Sequence, residues 1–72
     1  MLKYKLIYSD GKIRRYEFYP NGDETNPGIV ELSIEDEPKL LKESEADVKM
    51  YYAIHALHGI DISKENGTVA WC

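Results

Sequence analysis

The stretch that decides the fold is SEADVKMYYAIHALHG, residues 44–59, the longest segment with a helical period. Ser44 is a favoured N-cap residue, because its hydroxyl can accept a hydrogen bond from an amide of the first turn. Asp47 follows three positions later and gives a variant of the capping box. Gly59 can adopt the left-handed conformation that ends many helices. The pattern therefore predicts one helix over residues 44–59.

The predicted helix has two faces of different composition. Spacing at about 100° per residue directs five side chains toward a core, namely Ala46, Met50, Ala53, Ile54 and Leu57. The opposite side carries an aromatic and histidine-rich set, namely Val48, Tyr51, His55 and His58. Because this second set is too aromatic for a purely solvated face, we interpret it as a candidate contact surface.

Predicted strands lie on both sides of this helix. Alternating or β-branched patterns predict strands over residues 1–9, 13–19, 28–35 and 68–72. Residues 39–43 are either a fourth strand or the first turn of a longer helix, and the preceding Pro38 favours the strand. The order β-β-β-(β)-α-β predicts a single α+β domain over residues 1–72. Its antiparallel sheet has four or five strands, with the helix packed on one face.

The first two predicted strands form a hairpin whose two faces differ. Asp10 and Gly11 provide the tight turn between them. Alternation directs four residues to one face, namely Leu2, Tyr4, Leu6 and Tyr8. Ile7 and Tyr19 belong to the opposite face. If the helix covers only the first face, Ile7 and Tyr19 form a second candidate contact patch.

Composition argues against several classes of function. Thirteen acidic and nine basic residues give a net charge of −4, whereas nucleic-acid binding relies on clustered Lys and Arg. No apolar run is long enough to span a bilayer and no signal-peptide pattern occurs, so we expect no membrane partner. Cys72 is the single cysteine and can form no intrachain disulfide. These features predict a cytoplasmic protein without a nucleic-acid partner.

The two histidines raise the question of a metal site. His55 and His58 are three residues apart, but a zinc site needs three or four ligands, so Asp61 or Cys72 would have to complete it. No glycine-rich phosphate loop, CxxC pair or HExxH motif occurs in the chain. We therefore predict no catalytic residue, no metal site and no cofactor. A small metal-binding or enzymatic module using His55 and His58 is the alternative.

Three stretches of the chain carry a resemblance to known sequences. They are KYKLIY at residues 3–8, the Tyr-Pro and PGIV stretches at 19–20 and 27–30, and GTVAW at 67–71. In these stretches the chain resembles small uncharacterised proteins of Gram-positive bacteria and their phages or mobile elements. The resemblance implies a bacterial cytoplasmic setting, in which a partner would be a host or phage protein. It implies no site residues.

The excess of tyrosine is the leading functional signal. Six tyrosines stand against one phenylalanine and one tryptophan. Tyrosine combines apolar area with a polar tip and is frequent at interfaces. A chain of this length buries only about 60% of its unfolded surface, so association would stabilise it. We predict a non-catalytic protein that acts through protein–protein contacts, as a homodimer or with a host or phage protein.

Overall fold

Five antiparallel strands form one sheet, and a helix crosses one of its faces, in the computed structural model, which describes residues 1–70. In chain order the elements are β1 (Leu2–Ser9), β2 (Ile13–Pro20), β3 (Gly28–Ser33), β4 (Lys39–Lys42), α1 (Tyr51–Gly59) and β5 (Asn66–Val69). The order across the sheet is β4-β3-β2-β1-β5, so the first strand pairs with the last. This architecture confirms the predicted α+β fold.

The core lies between the sheet and α1. Tyr4 pairs with Phe18 in the β1–β2 register, and residues directly opposite each other share a face of the sheet. The buried residues between the sheet and the helix are Leu2, Tyr4, Tyr16, Phe18, Val30, Leu32, Ala53 and Ala56. Gly28 leaves room for one of these rings, because a β-carbon there would lie 2.1 Å from Phe18 Cζ.

Tyr16 attaches the connection between α1 and β5 to the core. Its ring meets Tyr4 edge-on, with centroids 5.6 Å apart and planes at 78°. Its hydroxyl donates a hydrogen bond of 2.6 Å to the carbonyl oxygen of Lys64. The Leu6 amide donates to the Glu65 carbonyl oxygen at 2.6 Å. These contacts position the chain so that β5 pairs with β1.

Strand boundaries follow the sequence pattern closely at the start of the chain and less closely at the end. β4 confirms the strand interpretation of residues 39–43. β3 ends at Ser33, because its hydroxyl oxygen accepts from the amides of Glu35 and Asp36 and turns the chain. β5 begins at Asn66, two positions before the predicted start at residue 68. Residues 71 and 72 of that predicted strand lie outside the described part of the chain.

Tyr8 lies on the opposite face from the one that simple alternation predicted. The β1–β2 register pairs Leu6 with Tyr16 and then Tyr8 with Arg15, which leaves Ile7 as an extra residue. Such a β-bulge reverses the alternation of the residues that follow it. Tyr8 therefore meets Arg15, whose guanidinium carbon lies 4.8 Å from the centroid of the ring.

The helix is shorter than the sequence pattern predicted, because α1 begins at Tyr51 and not at Ser44. Ser44 does not cap it. The buried Ser44 hydroxyl donates to the carbonyl oxygen of Asn26 and accepts from the amide of Ala46, and so joins two loops. Met50 has a left-handed backbone with φ of 63°, which breaks a helical path immediately before Tyr51.

The face that α1 presents to the sheet differs from the predicted one. Three members of the predicted core set reach the core, namely Met50, Ala53 and Leu57. Ala46 precedes the helix and is exposed, and Ile54 is 52% exposed, so both core assignments were wrong. Ala56 is fully buried in their place. Small side chains at positions 53 and 56 let the helix backbone approach the sheet closely.

Candidate interaction surface

The carboxylate of Asp47 organises the start of α1. Its Oδ1 atom accepts from the amide of Tyr52 at 3.2 Å, and its Oδ2 atom accepts from the amide of Ala53 at 2.9 Å. Asp47 is buried, and its charge lies near the positive end of the helix dipole. The amide of Ile54 then donates to the carbonyl oxygen of Met50 at 3.1 Å. This start determines which helical positions face outward.

Large apolar side chains are exposed at the start of α1 and in the turn before it. Val48 is 89% exposed, Tyr51 is 61% exposed and Ile54 is 52% exposed. His58 is exposed in the last turn of α1, and His55 is half-buried. We call these five residues the outer helix surface. The four helical members are three or four positions apart and are therefore neighbours on the helix.

The sequence predicted four of these five residues. Three of the four share the exposed side of α1 as expected, while Val48 lies in the turn that precedes it. Ile54 was missed because the predicted core face included it. The signal that could have found it is the pair Ala53 and Ala56, whose small side chains suit close contact with a sheet. A core face centred on these two alanines turns Ile54 outward.

Ile7 and Tyr19, the two predicted contact residues on the sheet, are not part of the outer helix surface. Ile7 is half-exposed at the β-bulge. Tyr19 lies on the sheet face away from α1 and is only 6% exposed, whereas the alternation pattern predicted an open patch. Its hydroxyl donates to Glu17 Oε1 at 2.9 Å. Burial, followed by this hydrogen bond, raises the pKa of Tyr19 to about 12. Tyr19 therefore offers little surface to a partner.

The sheet face away from α1 carries rows of alternating charge. Two rows of paired residues cross it, one of Lys5, Glu17, Ile29 and Lys42 and one of Arg15, Glu31 and Lys39. Arg15 Nε donates to Glu31 Oε1 at 3.0 Å in the second row. Opposite charges on neighbouring strands stabilise a sheet, and such rows are typical of a solvated face. The outer helix surface has a different, more apolar composition.

The geometry of the acidic, histidine and cysteine side chains bears on the metal-binding alternative. Within residues 1–70, no three of these side chains are grouped closely enough to hold a metal ion. Asp61 Oδ1 accepts from the amide and the hydroxyl of Ser63, at 2.9 and 2.6 Å. Cys72, the other predicted completing ligand, lies outside the described residues.

A membrane-spanning helix would need a long apolar segment. In the part of the chain that the structure describes, no helix combines the length and apolar character needed to cross a bilayer.

Comparisons of the chain with protein-family models, with curated proteins and with solved structures found no match. The resemblance to proteins of Gram-positive bacteria therefore stays a prediction. The outer helix surface is the candidate functional site.

Proposed function

We propose that this protein is a non-catalytic binding domain that self-associates through the outer helix surface. The observation that supports this proposal is the exposure of three large apolar side chains, Val48, Tyr51 and Ile54, within one short segment. Burying such side chains against a second copy removes apolar area from water, which is worth about 25 cal/mol per Å².

The charge distribution favours a second copy as the partner of this surface. The chain contains thirteen acidic residues, yet none occurs in the segment VKMYYAIHALHGI at residues 48–60. Two acidic molecules can therefore approach each other here without placing carboxylates face to face. The sheet face away from α1 instead carries charged side chains in both of its rows, and pairing that face with a second copy would remove those charges from water.

The size of the surface sets the strength of the expected dimer. A helix of nine residues is about 14 Å long, so two such helices in contact bury less area than a standard protein interface. We expect a weak dimer that dissociates on dilution. We also propose that the protein is cytoplasmic and that a host or phage protein is a further partner.

Sedimentation velocity over a concentration series tests self-association. We expect a monomer at low concentration and a growing dimer fraction at high concentration. Ile54→Glu would place two negative charges face to face and should abolish the dimer. Leu41→Glu is the matched control, because Leu41 on β4 is 49% exposed and lies outside the surface. A monomer at every concentration, or equal effects of both variants, would contradict the proposal.

A further inference from the structure

Arg14 is a half-buried cation that forms no ion pair with any carboxylate in the described part of the chain. It lies opposite the buried Leu32 in the β2–β3 register, so it belongs to the helix side of the sheet at the hairpin end. Its Nη1 atom is buried and has no hydrogen-bond partner, and within residues 1–70 no carboxylate pairs with it. The next residue, Arg15, is by contrast paired with Glu31. A buried guanidinium nitrogen without a partner is unfavourable, so an anion bound to this side chain would be stabilised.

Asp10 lines the same depression as Arg14, but other donors already engage its carboxylate. Asp10 Oδ1 accepts from the amides of Lys12 and Ile13 at 2.8 and 2.9 Å, and Oδ2 accepts from the Tyr8 hydroxyl at 3.0 Å. These hydrogen bonds, led by those from the two amides, hold the pKa of Asp10 below its ordinary value. Asp10 thus serves the hairpin turn and leaves the charge of Arg14 available.

The surroundings of Arg14 define the kind of anion that would fit. Arg14 lines a surface depression of about 150 Å³ together with Asp10, Gly11, Lys12 and three apolar side chains, those of Ile13, Ile34 and Ile62. Ile34 is largely exposed, although it borders this depression. A strongly hydrated inorganic anion would gain nothing from the isoleucines, whereas an alkyl group would bury against them. A guanidinium also matches the two oxygens of a carboxylate.

We propose that Arg14 binds a carboxylate that carries an apolar group. The carboxylate would pair with the guanidinium, and the apolar group would cover Ile34 and Ile62. Two sources share this chemistry, a free short-chain fatty acid and the C-terminal carboxylate of a peptide with an apolar last residue. The site lies at the hairpin end of the sheet and is independent of self-association through the outer helix surface.

The test is a titration of the isotope-labelled full chain, followed by two-dimensional amide NMR. Butyrate should shift the signals of Lys12 to Arg14, Ile34 and Ile62 in a saturable manner, with a Kd on the order of millimolar. Butyramide has a similar shape without the charge and should not shift them. An equal and saturable response to butyramide, or no saturable response to butyrate, would overturn the proposal.

Variants assign the binding to Arg14. Arg14→Met should weaken butyrate binding by at least about tenfold, since it removes a charge-assisted hydrogen bond. Arg15→Met, on the same strand, should change the Kd less than about twofold. Arg14→Lys keeps the charge but loses the two-pronged geometry, so it should bind butyrate with intermediate affinity. It replaces Arg14→Met in the test if that variant does not fold. Unchanged binding in Arg14→Met or Arg14→Lys would overturn the proposal.

Peptides decide between the two sources of the carboxylate. A short peptide that ends in leucine is compared with the same peptide carrying a C-terminal amide. Shifts of the same signals with the free acid alone would support a protein chain end as the ligand. Binding of butyrate without binding of the peptide would support a free small carboxylate, and the sedimentation behaviour should be unchanged in either case.

Discussion

At the scale of single residues, one buried carboxylate determines where the helix begins. Asp47 accepts hydrogen bonds from the amides of Tyr52 and Ala53, which would otherwise lack partners at the first turn. Ser44 has the chemistry of a cap, but its hydroxyl is engaged with the loop at Asn26. Several residues with capping chemistry occur in this segment, and tertiary contacts select one of them.

Replacement of Asp47 by alanine should destabilise the protein by about 1–2 kcal/mol, because two helical amides lose their acceptor. Urea denaturation followed by circular dichroism measures the change. Glu45→Ala is the control, since Glu45 is exposed and precedes the helix; we expect a change below about 0.5 kcal/mol. Equal costs for the two variants would mean that Asp47 does not cap α1.

Tyr19 should make stability depend on pH in the alkaline range. Its folded-state pKa of about 12 exceeds the ordinary value of 10.0, because burial disfavours the phenolate. Folding therefore favours the neutral form of Tyr19. This preference contributes in full to the free energy of unfolding below pH 10. It is lost as the pH rises from about 10 to 12, and the loss is on the order of 2 kcal/mol.

Tyr19→Phe provides the comparison, because it retains the other five tyrosines of the native chain. The difference in unfolding free energy between the native chain and Tyr19→Phe should be constant from pH 7 to pH 9. Above pH 10 the native chain should lose stability relative to Tyr19→Phe. A difference that stays constant up to pH 11 would contradict the raised pKa of Tyr19.

At the scale of elements, the helix and the first strand depart from their patterns for related reasons. The amphipathic period reveals that a helix forms, but two faces about 60° apart fit a short helix almost equally well. The pattern of β1 alternates strictly through Tyr8, so it gives no sign of the bulge at Ile7. The bulge arises from the pairing of β1 with β2. Local pattern thus predicts the type of an element better than its orientation.

The core face of α1 can be tested with opposite substitutions. Ala56 is fully buried, so Ala56→Leu should overpack the contact with the sheet and cost about 1–3 kcal/mol. Ile54→Ala removes a half-exposed side chain and should cost less than about 1 kcal/mol. Chemical denaturation measures both. If Ile54→Ala destabilised the protein by several kcal/mol and Ala56→Leu did not destabilise it, the core face would be the one that the sequence predicted.

At the scale of the whole molecule, the sheet places the first and last strands side by side. β1 pairs with β2 on one side and with β5 on the other, so the centre of the sheet depends on contacts between distant parts of the chain. β4 and β5 are short edge strands of four residues each. The sheet therefore has a central group of three longer strands, flanked by two short edge strands that should be less stable.

Hydrogen exchange should reveal this division. Amides that pair within β1, β2 and β3 should exchange only through global unfolding, because these strands are bonded on both sides. Amides of β4 should exchange at least about tenfold faster through local opening. Two-dimensional NMR in deuterated solvent measures the rates. Uniform protection across all five strands would show that the sheet opens as one unit.

The sequence by itself determined the element types and the α+β class, because period-two and helical patterns of apolar residues reflect burial directly. It also identified most of the outer helix surface, since Tyr51, His55 and His58 stand apart from the core period. Only the tertiary structure decided the start of α1, the choice between its two possible core faces and the burial of Tyr19. Those features depend on which competing hydrogen bonds and packed faces distant segments complete, and a local pattern carries no record of that choice.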